Sequence, residues 1–180
     1  MTGLIKKDLI STVEELYHLQ NCQLAMGEYY QQLAERIPSE RMFWEEAICD
    51  EVNFARATGR LIALVTSNPQ SYGPGKYRVA VLETFLSGIY EQAEQVRKGA
   101  LTTPEMLKIA YDYEGSAIIL RPYDIVESQD STFRQFRKRL TDDVAGHCDR
   151  IRQYVDQKLG VQNKSSQIKL QNMTRTKIEF

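Results

Sequence analysis

The chain has 180 residues, with 23 Lys and Arg set against 24 Asp and Glu, a formal charge of −1 and 42% apolar residues. That length suits one domain with a proper core, and the balanced charge excludes a dedicated nucleic-acid binder, which carries a strong basic excess. No apolar run approaches the roughly eighteen residues that a membrane span needs. The segment Met1–Asp8 lacks the long apolar stretch and small-residue cleavage site of a signal peptide. Three cysteines, Cys22, Cys49 and Cys148, are odd in number and widely spaced. Without a Cys-x-x-Cys pair they form neither a zinc knuckle nor a four-thiolate iron site, and as unpaired thiols they fit a reducing cytoplasm.

Apolar residues at Leu9, Val13, Leu16, Leu19, Leu24, Leu33 and Ile37 predict a first helix over 8–36. Pro38 and Ser39 break it. Ser39 is the expected N-cap of a second helix that runs to about Val65, with Met42 and Phe43 opening its apolar face. The Pro- and Gly-rich segment 67–75 is the clearest loop. A third helix, about 77–97, ends at Lys98-Gly99, with basic residues in its last turn and glycine beyond. Thr103-Pro104-Glu105 starts a fourth: Thr103 caps, Pro104 takes the first helical position, and Glu105 favours the positive end of the dipole. This helix must stop or kink at Arg121-Pro122.

After a turn over 128–131, the last helix spans Thr132 to Leu159 and stops at Gly160. Residues 161–180 hold four basic residues against one acidic and read as a polar tail, disordered or docked on a partner protein. No segment makes a convincing strand; Ala117–Leu120 comes nearest and continues a helical face. The predicted fold class is all-α: residues 1–160 form an antiparallel four-helix bundle with 77–97 as a spacer helix, and 161–180 form the tail.

The chemistry-bearing stretch is Trp44-Glu-Glu-Ala-Ile-Cys-Asp-Glu51-Val-Asn-Phe54-Ala55. A carboxylate at i and an imidazole at i+3 share one helix face and can aim at a bundle axis together. Here Glu51 is present and Phe54 stands where the imidazole would be. Ala47–Phe54 and Leu140–His147 align without gaps, a weak internal duplication that suits two helical hairpins.

At this point the chain resembles the ferritin-like superfamily, and within it the rubrerythrin-like proteins that lack a rubredoxin domain. The likeness covers about residues 15–158. It rests on Tyr30-Gln-Gln-Leu33-Ala34 running to Pro38, on Phe43-Trp44 leading to Asp50-Glu51, on Gly99 to Glu114, and on Leu140, His147 and Ile151. The resemblance implies a site with one glutamate from each of two helices and Glu-x-x-His from each of two others, bridging a pair of irons.

Carried over by position, the implied ligands are Gln23, Glu51, Phe54, Glu114, Val144 and His147. Glu51, Glu114 and His147 are retained as metal ligands, while Gln23, Phe54 and Val144 replace the rest. A one-residue shift of the last helix would instead offer Asp143 with Gly146. The surviving set could hold one iron, manganese or zinc with water completing the sphere. Without metal it would form a buried polar cluster.

Tyr29, Tyr30, Tyr111 and Tyr113 read as helix-packing aromatics near this core, and His18 as a surface residue. Arg134–Arg139 reads as a solvated basic face. No phosphate loop or nucleophile elbow is present. The expected function is therefore a ferritin-like bundle with an incomplete di-iron site, serving as a non-catalytic scaffold or partner-binding module. The alternative is an iron-dependent oxidoreductase, or a protein handling peroxide or iron, that uses a reduced metal site. The resemblance also implies a homodimer.

Overall fold

A computed structural model describes residues 6–75, 79–120 and 122–160. Five helices make up the fold: α1 (Lys6–Arg36), α2 (Arg41–Ser67), α3 (Val79–Arg97), α4 (Thr103–Leu120) and α5 (Ser131–Leu159). The all-α prediction holds. Residues 161–180, the expected tail and partner contact, lie outside the described residues, as do 76–78 at the expected start of the third helix.

Each helix turns an apolar stripe inward. Leu16, Tyr29, Tyr30 and Leu33 of α1 meet Trp44, Leu61 and Val65 of α2, Ile89 of α3, Ala110 of α4 and Ile151 of α5 in one core. α1 lies against α2 and α3, and α5 lies against α4 and α2. Contacts across the core set the directions. Gln20 donates to the Ala55 carbonyl at 2.8 Å, while Tyr30 stacks on Trp44, so α1 and α2 are antiparallel. Phe43 stacks on Tyr154 at 3.6 Å and Asp50 meets His147, so α2 and α5 are antiparallel as well. Tyr111 with Arg152, and Glu114 with His147, give the same sense for α4 and α5. α3 runs alongside α1 in the same direction, tied by Cys22 Sγ to the Leu82 carbonyl at 3.5 Å and by Arg36 to the Val96 carbonyl at 2.9 Å. It thereby returns the chain to the end from which α4 can start in the direction of α2.

Helix ends follow local chemistry, with shifts from expectation. Pro38–Glu40 form a short 3-10 turn, so Ser39 does not cap α2; Glu40 holds that position with no side-chain hydrogen bond. At α4 the cap is Thr102 rather than Thr103. The Thr102 backbone N–H and hydroxyl both donate to Glu105 Oε2 at 2.7 Å, and Met106 N–H returns to the Thr102 carbonyl. Asp130 caps α5 by accepting from Phe133 N–H at 2.7 Å. Glycines close α3 and α5 as predicted, with Gly99 at φ 69° and Gly160 at φ 67°.

A two-stranded ladder of β1 (Gly73–Pro74) and β2 (Val126–Glu127) was not foreseen, since two residues leave no alternating pattern. It staples the α2–α3 loop to the segment before α5. Gly75 is required there: a Cβ would fall 1.8 Å from the Asp124 carbonyl oxygen. Among the described residues no helix is long and apolar enough to cross a membrane.

Candidate metal centre

Glu51 of α2, Glu114 of α4 and His147 of α5 meet in the core, at 6%, 2% and 2% exposure. His147 Nε2 lies 3.4 Å from Glu51 Oε1 and 3.5 Å from Glu114 Oε1. One donor atom from each residue falls within 4.8 Å of the others. On the far side of the ring, Nδ1 sits 3.1 Å from Asp50 Oδ2, and the same oxygen accepts from Arg150. A proton on Nδ1 shared with Asp50 leaves the Nε2 lone pair facing the carboxylates, the arrangement by which an outer carboxylate orients a ligating histidine. Tyr30, fully buried on α1, donates its hydroxyl to Glu114 Oε1 and stacks on Trp44 at 5.4 Å. Phe54 sets its edge against the His147 ring at 5.6 Å.

Burial penalises every charge in this group, and the neighbours decide who keeps one. Burial lifts the Glu51 carboxyl to about 7; the adjacent His147 imidazole pulls it back, and the Glu114 charge pushes it further up. Burial acts on Glu114 in the same sense, but the adjacent His147 imidazole, together with Cys148 and the Tyr30 hydroxyl, outweighs it and holds that carboxyl below its ordinary range. Burial disfavours the His147 imidazolium, yet the two carboxylates more than reverse this and raise it to about 10. Without a metal, therefore, Glu114 carries the negative charge, His147 the positive one, and Glu51 sits near neutrality.

The fit to a cation can be tested on distances. His147 Nε2 is buried and lacks a hydrogen-bond partner. As an imidazolium it would point between two oxygens, each well beyond the usual 2.9 Å or so of an N–H···O bond. Oxygen and nitrogen donors about 2.1 Å from a tetrahedral cation stand about 3.4 Å apart, which matches the two spacings from His147 to the carboxylates. Two carboxylates also balance a divalent charge, and an O,O,N donor set suits iron, manganese or zinc. The group fits one cation. Among the described residues no larger donor group is found.

All three candidate ligands read from the sequence thus converge, and Gln23, Phe54 and Val144 do not join them as donors. Gln23 is committed elsewhere: it donates to the Tyr123 hydroxyl at 2.7 Å and accepts from Thr58 at 2.9 Å. Phe54 is buried and Val144 half-buried against the core. The shifted register fails, since Asp143 and Gly146 are both exposed while His147 points inward. His18, expected on the surface, is partly covered, 3.7 Å from Glu83 of α3. Tyr29 serves packing, with its hydroxyl on the Met106 carbonyl at 2.8 Å, and Tyr111 carries Arg152 over its ring at 4.7 Å.

Sequence reasoning missed Asp50 and Arg150, and it placed Tyr30 among the packing aromatics. The one available signal was the Asp50-Glu51 pair beside an apolar helix face. All three cysteines are free, with Cys22 and Cys148 buried and Cys49 exposed. Burial lifts the Cys22 thiol to about 12.

Compared with protein families, curated proteins and solved structures, the chain matches none.

Proposed function

We propose that this chain is a ferritin-like four-helix bundle, similar in plan to rubrerythrin-like proteins without a rubredoxin domain, in which the di-iron centre is reduced to a single divalent-metal site. Glu51, Glu114 and His147 hold the ion, Asp50 orients the imidazole, and Tyr30 steadies Glu114. The carrying observation is the buried, unpartnered Nε2 of His147 placed 3.4 and 3.5 Å from two carboxylate oxygens on two other helices. The helix directions support the bundle: α1, α2, α5 and α4 each lie antiparallel to the next, and α3 supplies the crossover between hairpins.

The reading is of a cytoplasmic scaffold whose metal ties α2, α4 and α5 together. Phe54 and Val144 occupy space where two further donors would stand, which removes the chemistry of a metal pair. A second reading, an iron-dependent oxidoreductase, is favoured by the donor count: three protein ligands leave a position for an exchangeable one, as catalytic sites do. A bound ion would supply Lewis acidity or a one-electron couple at that position.

Metal content tests both. Ferrous iron is added anaerobically to purified protein, excess is removed, and metal per chain is counted. One iron per chain is expected. Two would overturn the ligand set, and none, with an unchanged melting temperature, would overturn the site. Catalytic consumption of peroxide by the loaded protein would select the second reading over the scaffold.

A further inference from the structure

Helix α1 is covered on two flanks and open on a third. Gln20 turns to the Ala55 carbonyl of α2 on one flank, and His18 to Glu83 of α3 on the other. Between them stand Ile10, Tyr17 and Leu24, at 52%, 51% and 44% exposure. Apolar residues exposed singly need no explanation, but these three recur at every seventh position. That spacing sets them in one row about 21 Å long, drifting only about 20° per step around the helix. Beside the row run Lys7, Glu14, Asn21 and Glu28, again every seventh residue and all exposed. None of these four has a side-chain partner among the described residues. On other helices exposed charges are matched locally, Arg41 with Glu45, Lys108 with Asp112 and Lys138 with Asp142.

We propose that this face is the contact between two copies of the chain, their α1 helices packed antiparallel about a two-fold axis at Tyr17. The row is self-complementary in that direction. Tyr17 meets the partner's Tyr17, and Ile10 meets the partner's Leu24, once at each end. On the flank beside the row the same rotation brings Lys7 to the partner's Glu28 and Glu14 to the partner's Asn21. No carboxylate faces a carboxylate, and the unmatched charges of each copy are answered by the other. A parallel pairing would leave Lys7 and Glu28 about 31 Å apart along the axis and unmatched. The slow drift of the row suits helices crossing at about 20°, which keeps it in contact over its length. Three half-exposed side chains per copy make a small interface, under about 1,200 Å² in total, of the kind that associates weakly and reversibly. The contact does not depend on the metal-site reading.

Sedimentation velocity over rising protein concentration is expected to show monomer passing to dimer. Tyr17→Glu, which sets two carboxylates together on the axis, should raise the dissociation constant at least about tenfold. Lys7→Glu and Glu28→Lys should each weaken the dimer several-fold, and the two together should restore it, because the swapped charges meet again across the axis. Register is read by mild oxidation of cysteine variants in a Cys49→Ser background, which lacks the exposed native thiol. Tyr17→Cys should cross-link to itself. Ile10→Cys and Leu24→Cys should cross-link to each other when mixed, and neither to itself, since like positions lie about 21 Å apart along the axis. A monomer at every concentration would overturn the contact, as would a dimer that Tyr17→Glu leaves intact. A dimer that the double charge swap fails to restore, or in which Ile10→Cys joins itself, would overturn the antiparallel pairing. Should Tyr17→Glu melt below the wild type, the charge swap alone decides. Metal content is expected to be the same in every variant, so failure of the contact leaves the metal site standing.

Discussion

At the scale of single residues, one histidine organises the centre. His147 is the meeting point of two helices' carboxylates on one nitrogen and a half-exposed aspartate on the other. If Asp50 orients the ring for a metal, Asp50→Asn leaves every direct donor in place yet weakens cobalt binding by about 10- to 100-fold, measured by chelator competition. An unchanged affinity would mean that the Asp50 contact is incidental to the site.

Acid–base linkage provides a second prediction, for chelator-treated protein. His147 is raised from 6.5 to about 10, so its contribution to stability is fully present below about 6.5 and is lost as pH rises through about 10. Glu51 is raised from 4.5 to about 7, so its burial is tolerated while the carboxyl is protonated and begins to destabilise across that interval. Both groups bind more protons folded than unfolded, and the slopes add. The melting temperature of the metal-free protein should therefore fall from about pH 5 to pH 10. His147→Gln should remove the alkaline part of that fall. A flat profile in the wild type would contradict the coupling.

At the scale of elements, the helices are delimited by punctuation that the sequence carries openly, but their caps depend on neighbours. Pro38 ends one helical pattern, and Gly99 and Gly160 end two others through left-handed geometry. The expected caps at Ser39 and Thr103 are each off by one residue, in opposite directions: Glu40 holds the position at α2, after the 3-10 turn that Pro38 opens, and Thr102 holds it at α4. At α4 the Glu105 carboxylate, which accepts from both the Thr102 N–H and its hydroxyl, settles the matter. At α5 it is Asp130, whose carboxylate holds Phe133 N–H next to the segment that feeds the ladder. Asp130→Ala should cost about 1 kcal/mol in denaturant unfolding. A loss indistinguishable from zero would show that the ladder and the packing of Phe133 alone fix the start of α5.

At the scale of the whole molecule, the cluster lies where α2, α4 and α5 converge, so an ion bound there would tie the three helices together. An ion that binds only the folded chain adds about 2.7 kcal/mol to stability at a free concentration a hundred times its dissociation constant. Chelation should therefore lower the melting temperature by several degrees, and readdition of cobalt or ferrous iron should restore it. No shift on chelation of protein shown to hold metal would place the ion away from the hairpin interface.

What the sequence determined by itself was local or periodic. Apolar spacing placed five helices, Pro and Gly placed their breaks, and Glu51, Glu114 and His147 could be picked as one candidate ligand set. What only the tertiary structure decided was everything that depends on residues far apart in the chain. The Asp50–Arg150 pair joins positions 100 apart, and Tyr30 reaches Glu114 across 84. Gln23 could have lain beside the centre, yet turned to Thr58 and Tyr123. The physical reason is the same each time. Helix formation is governed by neighbours within a turn, whereas a buried polar group takes whichever partner the packing of other helices brings within about 3 Å.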